Sequence, residues 1–216
     1  MIVTLTANPS LDRTITLPGP LDRGAVHRTA EVLVDPGGKG INVARVLHAA
    51  GRQVLAILPG NTGDPLLTAL SDHDIDCLAI ETAAPARTNT TVAEPDGTTT
   101  KFNEPGSAYG PRTRAELQDA VLDQATDATW TVLSGSLPPS IPDNWYADLI
   151  CALRATGTRI AVDTSEAPLL ALADRFPEAA PDLVKPNSDE LAQLTGADAI
   201  TLEAAAAAGD TAPVVA

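Results

Sequence analysis

Positive charge is scarce in this sequence. Its 216 residues carry 14 lysines and arginines against 28 aspartates and glutamates, a formal net charge of −14. A nucleic-acid-binding surface needs a broad basic face, so no nucleic-acid partner is expected. Long apolar runs are missing too. No stretch of eighteen apolar residues occurs, which argues against a membrane span. The N-terminus, Met1-Ile2-Val3-Thr4-Leu5, lacks a basic region followed by a long apolar stretch and is not read as a signal peptide. Aromatic residues make up only 3% of the chain, so its core has to be built from Ala, Val, Leu and Ile. The two cysteines, Cys77 and Cys151, lie far apart without metal-binding spacing. They are read as reduced core residues of a cytoplasmic protein.

Acidity of this degree does not exclude an anionic small ligand. It requires the few cations to converge, because the field of the whole molecule repels phosphate. The basic residues are therefore informative in this sequence.

Short apolar strands alternate with helical segments along most of the chain. Strands are expected at Ile2–Thr6, Val54–Leu58, Val132–Leu133, Arg159–Val162 and Leu183–Val184. Helices are expected at Ile41–Ala50, closed by Gly51, at Asp143–Thr156, closed by Gly157, and at Asp189–Leu194, closed by Gly196. Thr113 and Glu116 have the spacing of a capping box, and Ala204–Ala208 is good helix. This rhythm predicts a mainly parallel sheet with helices on both faces. Two Thr-rich regions break it. Thr14–Leu17 alternates like a half-exposed strand, and Thr90–Glu94 and Thr98–Phe102 flank a Pro95-Asp96-Gly97 turn. They suit a small sheet standing off the main body.

Ligands of open parallel sheets bind beyond the carboxyl ends of the strands. Asp12 follows the first strand and could accept polyol hydroxyls, or could satisfy its own turn. Pro36-Gly37-Gly38-Lys39-Gly40-Ile41-Asn42 leads into a helix whose amides and dipole favour an anion, although a plain glycine turn fits as well. It is neither a Walker A loop nor a dinucleotide loop. Ser134-Gly135-Ser136 follows the strand at Val132. Asn187 and Glu190, after Lys185, could orient water around Mg²⁺, or could simply cap a helix.

The order of these segments is more specific than any one of them. Asn8-Pro9-Ser10-Leu11-Asp12, Gly37-Gly38-Lys39-Gly40 with Asn42 to Arg45, Arg87-Thr88-Asn89, Ser134 to Pro139, Asp163-Thr164-Ser165 and Lys185-Pro186-Asn187 with Glu190 together resemble the PfkB family of carbohydrate kinases. The resemblance is greatest to its 1-phosphofructokinase and tagatose-6-phosphate kinase branch. It implies a ribokinase-like three-layer α/β sandwich, a partial kinase domain over residues 1–216, with lid strands at about 13–34 and 88–104. It implies transfer of the γ-phosphoryl of ATP, with Mg²⁺, to a ketohexose phosphate, fructose 1-phosphate before others. Another sugar or a nucleoside is the alternative acceptor, and a non-catalytic sugar-phosphate-binding role the alternative function.

The resemblance also implies roles. Asp12 and Ser136 would hold the sugar. Gly38, Lys39 and Asn42 would line the sugar-phosphate pocket, and Arg28 and Arg87 would clamp the existing phosphate. Lys185, Asn187 and Glu190 would belong to the ATP side, with Asn187 and Glu190 acting on Mg²⁺ through water. The lid would also serve as a homodimer contact. Two departures stand out: His27 occupies the place of an Asn before the lid arginine, and Glu166 the place of a Gly after Asp163-Thr164-Ser165. The Gly-Ala-Gly-Asp motif that supplies the family's catalytic base is absent, and Ala208-Gly209-Asp210 is not a match for it. The apolar end Pro213-Val214-Val215-Ala216 reads as an interrupted element, and the chain alone is expected to be inactive.

Overall fold

A computed structural model describes residues 1–209 of the chain. Six parallel strands form the main sheet in the order β10-β9-β8-β1-β4-β5. They are β1 (Ile2–Thr6), β4 (Val54–Pro59), β5 (Cys77–Ile80), β8 (Trp130–Ser134), β9 (Arg159–Asp163) and β10 (Leu183–Val184). Four strands form a second sheet in the order β3-β2-β6-β7: β2 (Ser10–Thr16), β3 (Glu31–Gly37), β6 (Arg87–Ala93) and β7 (Thr99–Asn103). In it β2 and β6 run parallel, while β3 and β7 pair antiparallel at the edges.

Alternation along the strands separates two cores. Val3, Leu5, Ile57, Leu133, Ile160 and Val162 point to one face. There they meet α3 (Pro111–Ala125), α4 (Trp145–Leu153) and α5 (Glu166–Ala173) through Leu117, Val121, Tyr146, Leu149, Ile150 and Leu172. Val54, Ala56 and Leu58 point to the other face, against Ile41 and Ala44 of α1 (Lys39–Ala49) and Leu66 and Leu70 of α2 (Pro65–Asp72). Each fully buried Leu or Ile contributes roughly 1.5–3 kcal/mol. The short α6 (Phe176–Ala179) precedes β10, and α7 (Ser188–Thr195) and α8 (Ala199–Ala207) follow it.

Several expectations need correcting. Thr113 and Glu116 make no capping box. Pro111 starts α3 two residues earlier, Thr113 Oγ1 donates to Glu81 O at 3.2 Å, and Glu116 accepts from Arg112. Asp12 lies inside β2, not in a turn after β1, because β2 begins at Ser10. Pro36 and Gly37 end strand β3 and are not loop. The lid therefore spans residues 10–37 and 87–103. Both cysteines are free thiols, but Cys77 is exposed and not a core residue, while Cys151 packs partly buried against the core. No helix among the described residues is long and apolar enough to cross a membrane. The chain end from Asp210 lies outside the described residues.

Candidate active site

The topology reverses at β1: the chain leaves it toward β4 and β5, then returns to β8 on its other side. Such a switch point opens a crevice at the carboxyl ends of the strands. The second sheet hangs over it, because Asn8 and Pro9 carry the chain from β1 directly into β2.

Register places the polar residues of this sheet in rows. Ser10 pairs with Gly37 on one side and Arg87 on the other; Asp12 pairs with Asp35 and Asn89. Positions two apart on a strand share a face, so Ser10, Asp12, Arg87, Asn89 and Gly37 lie together. Ser10 Oγ donates to Asp12 Oδ1 at 2.8 Å, and Asn89 Nδ2 donates to the same oxygen at 3.1 Å and to Ser10 Oγ at 3.0 Å. Asp12 lies flat against Gly37, where any Cβ would collide with its carboxylate. One Asp12 oxygen is thus fixed by two protein donors, and the carboxylate is aimed by its neighbours.

Arg87 is half-buried at the lid–body junction. Its Nη1 donates to Glu104 O at 2.7 Å, and its buried Nε has no partner. Burial lowers its pKa, against the pull of the Asp12 and Glu104 carboxylates. The crevice beside it is lined by Asn8, Pro9, Pro85 and Tyr109. Asn8 Nδ2 donates to Pro105 O at 3.0 Å and to Ser136 Oγ at 3.3 Å, so Asn8 joins the lid connection to the β8 loop.

That loop is pinned. Gly135 has φ 96°, its N–H donates to Asp163 O at 2.8 Å, and its carbonyl accepts from Tyr146 Oη at 3.1 Å and Thr164 Oγ1 at 3.0 Å. Gly38, with φ 113°, packs on Thr6 and on Pro9 Cα, and Gly40 lies against Leu5 O. The start of α1 is thereby pressed onto the end of β1. Its first side chain, Lys39, crosses toward β9, and its Nζ lies 2.8 Å from Asp163 Oδ1 and 3.5 Å from Glu190 Oε1. Burial lowers the Lys39 pKa, but these two carboxylates outweigh it and the net shift is upward. Lys185 Nζ reaches the other Asp163 oxygen at 3.4 Å.

Asn187 and Glu190 form a true capping box: Asn187 Oδ1 accepts from Glu190 N at 2.8 Å, and Glu190 Oε2 from Asn187 N at 2.9 Å. With Glu190 Oε1 facing Lys39, these side chains are engaged. No three His, Cys, Asp or Glu residues gather as a direct cation site among the described residues. The pair does not fit as direct Mg²⁺ ligands.

Arg87 lines the crevice with Asn8 and Pro9; Asp12 lies on the strand beside Arg87, Gly38 packs on Pro9, and Ser136 accepts from Asn8. Lys39 and Lys185 meet on Asp163, and Glu190, boxed with Asn187, faces Lys39. Asn42 is exposed on α1 and shares a hollow with Lys39 and Asp163. Arg28 is exposed in the loop between β2 and β3, with no hydrogen bond or ion pair among the described residues. Asn8, Ser10, Gly37, Asn89 and Asp163 had no role assigned from sequence. The i, i+2 spacing of Ser10 to Asp12 and of Arg87 to Asn89 is the signal that places them on one face.

A parallel sheet flanked by helices, with a four-stranded mixed lid over its switch point, defines a ribokinase-like α/β fold. The chain belongs to the pfkB family of carbohydrate kinases, whose model matches residues 5–215. It is 39% identical over 202 residues to a 1-phosphofructokinase of Xanthomonas campestris pv. campestris, covering 90% of this chain and 62% of that protein. It is 38% identical over 197 residues to the ATP-dependent 6-phosphofructokinase isozyme 2 of Escherichia coli, covering 89% and 62%. The solved phosphofructokinase-2 of Escherichia coli in complex with fructose-6-phosphate superposes with a TM-score of 0.83 at 33% identity, covering 91% of this chain and 64% of that one. The chain spans less than two thirds of the length of these relatives.

Proposed function

We propose that this chain is a partial carbohydrate-kinase domain that binds a ketohexose phosphate, fructose 1-phosphate before fructose 6-phosphate. In the complete protein the acceptor hydroxyl would receive the γ-phosphoryl of ATP. The observation that carries this reading is Arg87: a half-buried guanidinium with an unpartnered Nε, in a protein of net charge −14, set one strand from the carboxylate of Asp12. Guanidinium geometry suits a phosphate, and a fixed carboxylate suits sugar hydroxyls. An uncharged nucleoside has no use for this half-buried cation.

The chain's own residues then divide the work. Asp12, held by Ser10 and Asn89, accepts hydroxyl hydrogen bonds and fixes the sugar's orientation. Arg87 binds the existing phosphate from the lid side. Ser136, with Asn8, borders the far side of the sugar. Lys39 and Lys185, gathered on Asp163, supply positive charge toward the nucleotide phosphates. Such positioning and charge neutralisation dominate phosphoryl transfer. Kinases of this family use ATP and Mg²⁺; a role of Asn187 and Glu190 toward the cation is confined to contact through water. Lid closure would exclude water, and the lid edge is the surface proposed for a homodimer.

The Gly-Ala-Gly-Asp motif is absent from the 216 residues. A general base alone contributes about 10²–10⁴-fold. The 216-residue chain is therefore proposed to bind sugar phosphate without turnover. A coupled ADP-release assay tests this: no release with retained ligand-induced thermal shift agrees, and robust turnover refutes it.

A further inference from the structure

Strands β6 and β7 run antiparallel, and their last paired positions toward the body are Asn89 and Asn103. The next rung would join Thr88 to Glu104. A side chain makes that rung instead: Glu104 Oε2 accepts from Thr88 N at 2.9 Å. The Glu104 carbonyl is thereby left for Arg87, whose Nη1 donates to it at 2.7 Å. Glu104 thus takes hydrogen bonds from two neighbouring residues at the start of β6. It also precedes Pro105, and a residue before proline is held to extended backbone, which limits where its carbonyl can point. The chain beyond it is fixed as well. Pro105 O accepts from Asn8 Nδ2 at 3.0 Å. Gly106, at φ 90°, lies so close to Asn8 that a Cβ there would collide with Asn8 Oδ1.

We propose that Glu104 is a positioning residue: its side chain, locked on Thr88, aims the Arg87 guanidinium at the phosphate of the acceptor sugar. This rests on the sugar-phosphate reading above and names the residue that orients its cation. A guanidinium is planar and carries five N–H donors in a fixed fork, so one firm acceptor on Nη1 sets the direction of the others. Arg87 Nε has no protein partner, and Arg87 lines the crevice with Asn8, Pro9 and Tyr109. A bidentate phosphate contact needs two N–H groups presented together. Without the lock the ligand itself has to order the side chain, and binding loses that rotamer entropy. The Glu104 carboxylate also acts through its charge. Burial lowers the Arg87 pKa, and Asp12 and then Glu104 oppose it. The two roles can be separated: a glutamine keeps the acceptor for Thr88 N and drops the charge, whereas an alanine keeps neither.

The test uses the 216-residue chain and two readouts. In calorimetric titration with fructose 1-phosphate and fructose 6-phosphate, Glu104→Ala should bind at least about fivefold more weakly than the unsubstituted chain. Glu104→Gln should stay within about threefold of it. Adding Glu104→Ala to Arg87→Ala should bring no further loss. The second readout needs no ligand. In the nitrogen–proton spectrum of the free chain, the Arg87 Nε–Hε resonance, identified by its loss in Arg87→Ala, should exchange slowly with solvent. It should exchange faster in Glu104→Ala and be unchanged in Glu104→Gln. A merely structural Glu104 would weaken binding alike with and without Arg87. That result, absence of rescue by glutamine, or an Arg87 resonance indifferent to Glu104→Ala overturns the inference. A folded chain that binds neither sugar phosphate overturns the sugar-phosphate reading, and the Arg87 resonance then decides the inference alone.

Discussion

Lys39 and Asp163, 124 positions apart in sequence, meet at 2.8 Å, with Glu190 closing on the same ammonium from α7. Sequence reasoning put Lys39 among the sugar-phosphate ligands and Glu190 with the nucleotide. Their ion pair joins the start of α1 to β9 and α7, and it turns Lys39 toward the β9–β10 side of the crevice. Because the folded state holds this ammonium above its ordinary pKa, its stabilisation is complete below the unfolded lysine value of roughly 10.4. It is lost as pH rises through the still higher folded value. Lys39→Met should flatten the fall in Tm between pH 9 and 11. The effect should also shrink in high salt, since Lys39 is 40% exposed. An unchanged alkaline profile would show that the pair contributes nothing.

Gly37 and Gly40 should respond oppositely to alanine. The three atoms nearest a Cβ on Gly37 all belong to the Asp12 side chain, which can rotate away. Gly37→Ala should leave Tm nearly unchanged while weakening sugar-phosphate binding as much as Asp12→Ala does, and the two substitutions should not add. A Cβ on Gly40 would lie 2.7 Å from Leu5 O, which is backbone and cannot rotate. Gly40→Ala should cost about 1–3 kcal/mol in urea unfolding.

Glu166 occupies a left-handed conformation at φ 56°, at the position where the family resemblance leads one to expect Gly. A side chain there costs roughly 1–2 kcal/mol. Glu166→Gly relieves this but loosens the unfolded chain. The net outcome should be a gain of up to about 1 kcal/mol in chemical denaturation, and a loss would contradict the strain.

Asn187→Ala removes the side chain that caps α7 and leaves Glu190 with a single cap contact. It should cost about 1 kcal/mol. Asn187→Ser, which retains an N-cap oxygen, should recover most of it.

Much of this was legible in the sequence. The strands at Ile2, Val54, Val132 and Arg159 are short, mostly apolar runs bounded by turns, and Gly157 and Gly196 end their helices in left-handed conformations, as glycine permits. Other elements gave weaker signals. In β3, Val32-Leu33-Val34 does not alternate, and Pro36-Gly37 reads as loop; only pairing with β2 makes it a strand. The eight-residue helices α2 and α5 are too short for a clear period, and Pro168 interrupts the second. At the site, Arg87 and Asp12 could be singled out one by one. Their neighbourhood could not, because it depends on the parallel pairing of β2 with β6, strands separated by seventy residues or more.

Arg87 carries the functional account, so its contribution is the most direct thing to measure. Calorimetric titration of the 216-residue chain with fructose 1-phosphate and fructose 6-phosphate should show saturable one-site binding. Arg87→Ala should weaken it at least tenfold, the scale of a charge-assisted hydrogen bond of about 1.5–3 kcal/mol. Binding that survives Arg87→Ala undiminished, or no binding by a folded chain, would contradict the assignment of this crevice to a phosphorylated sugar.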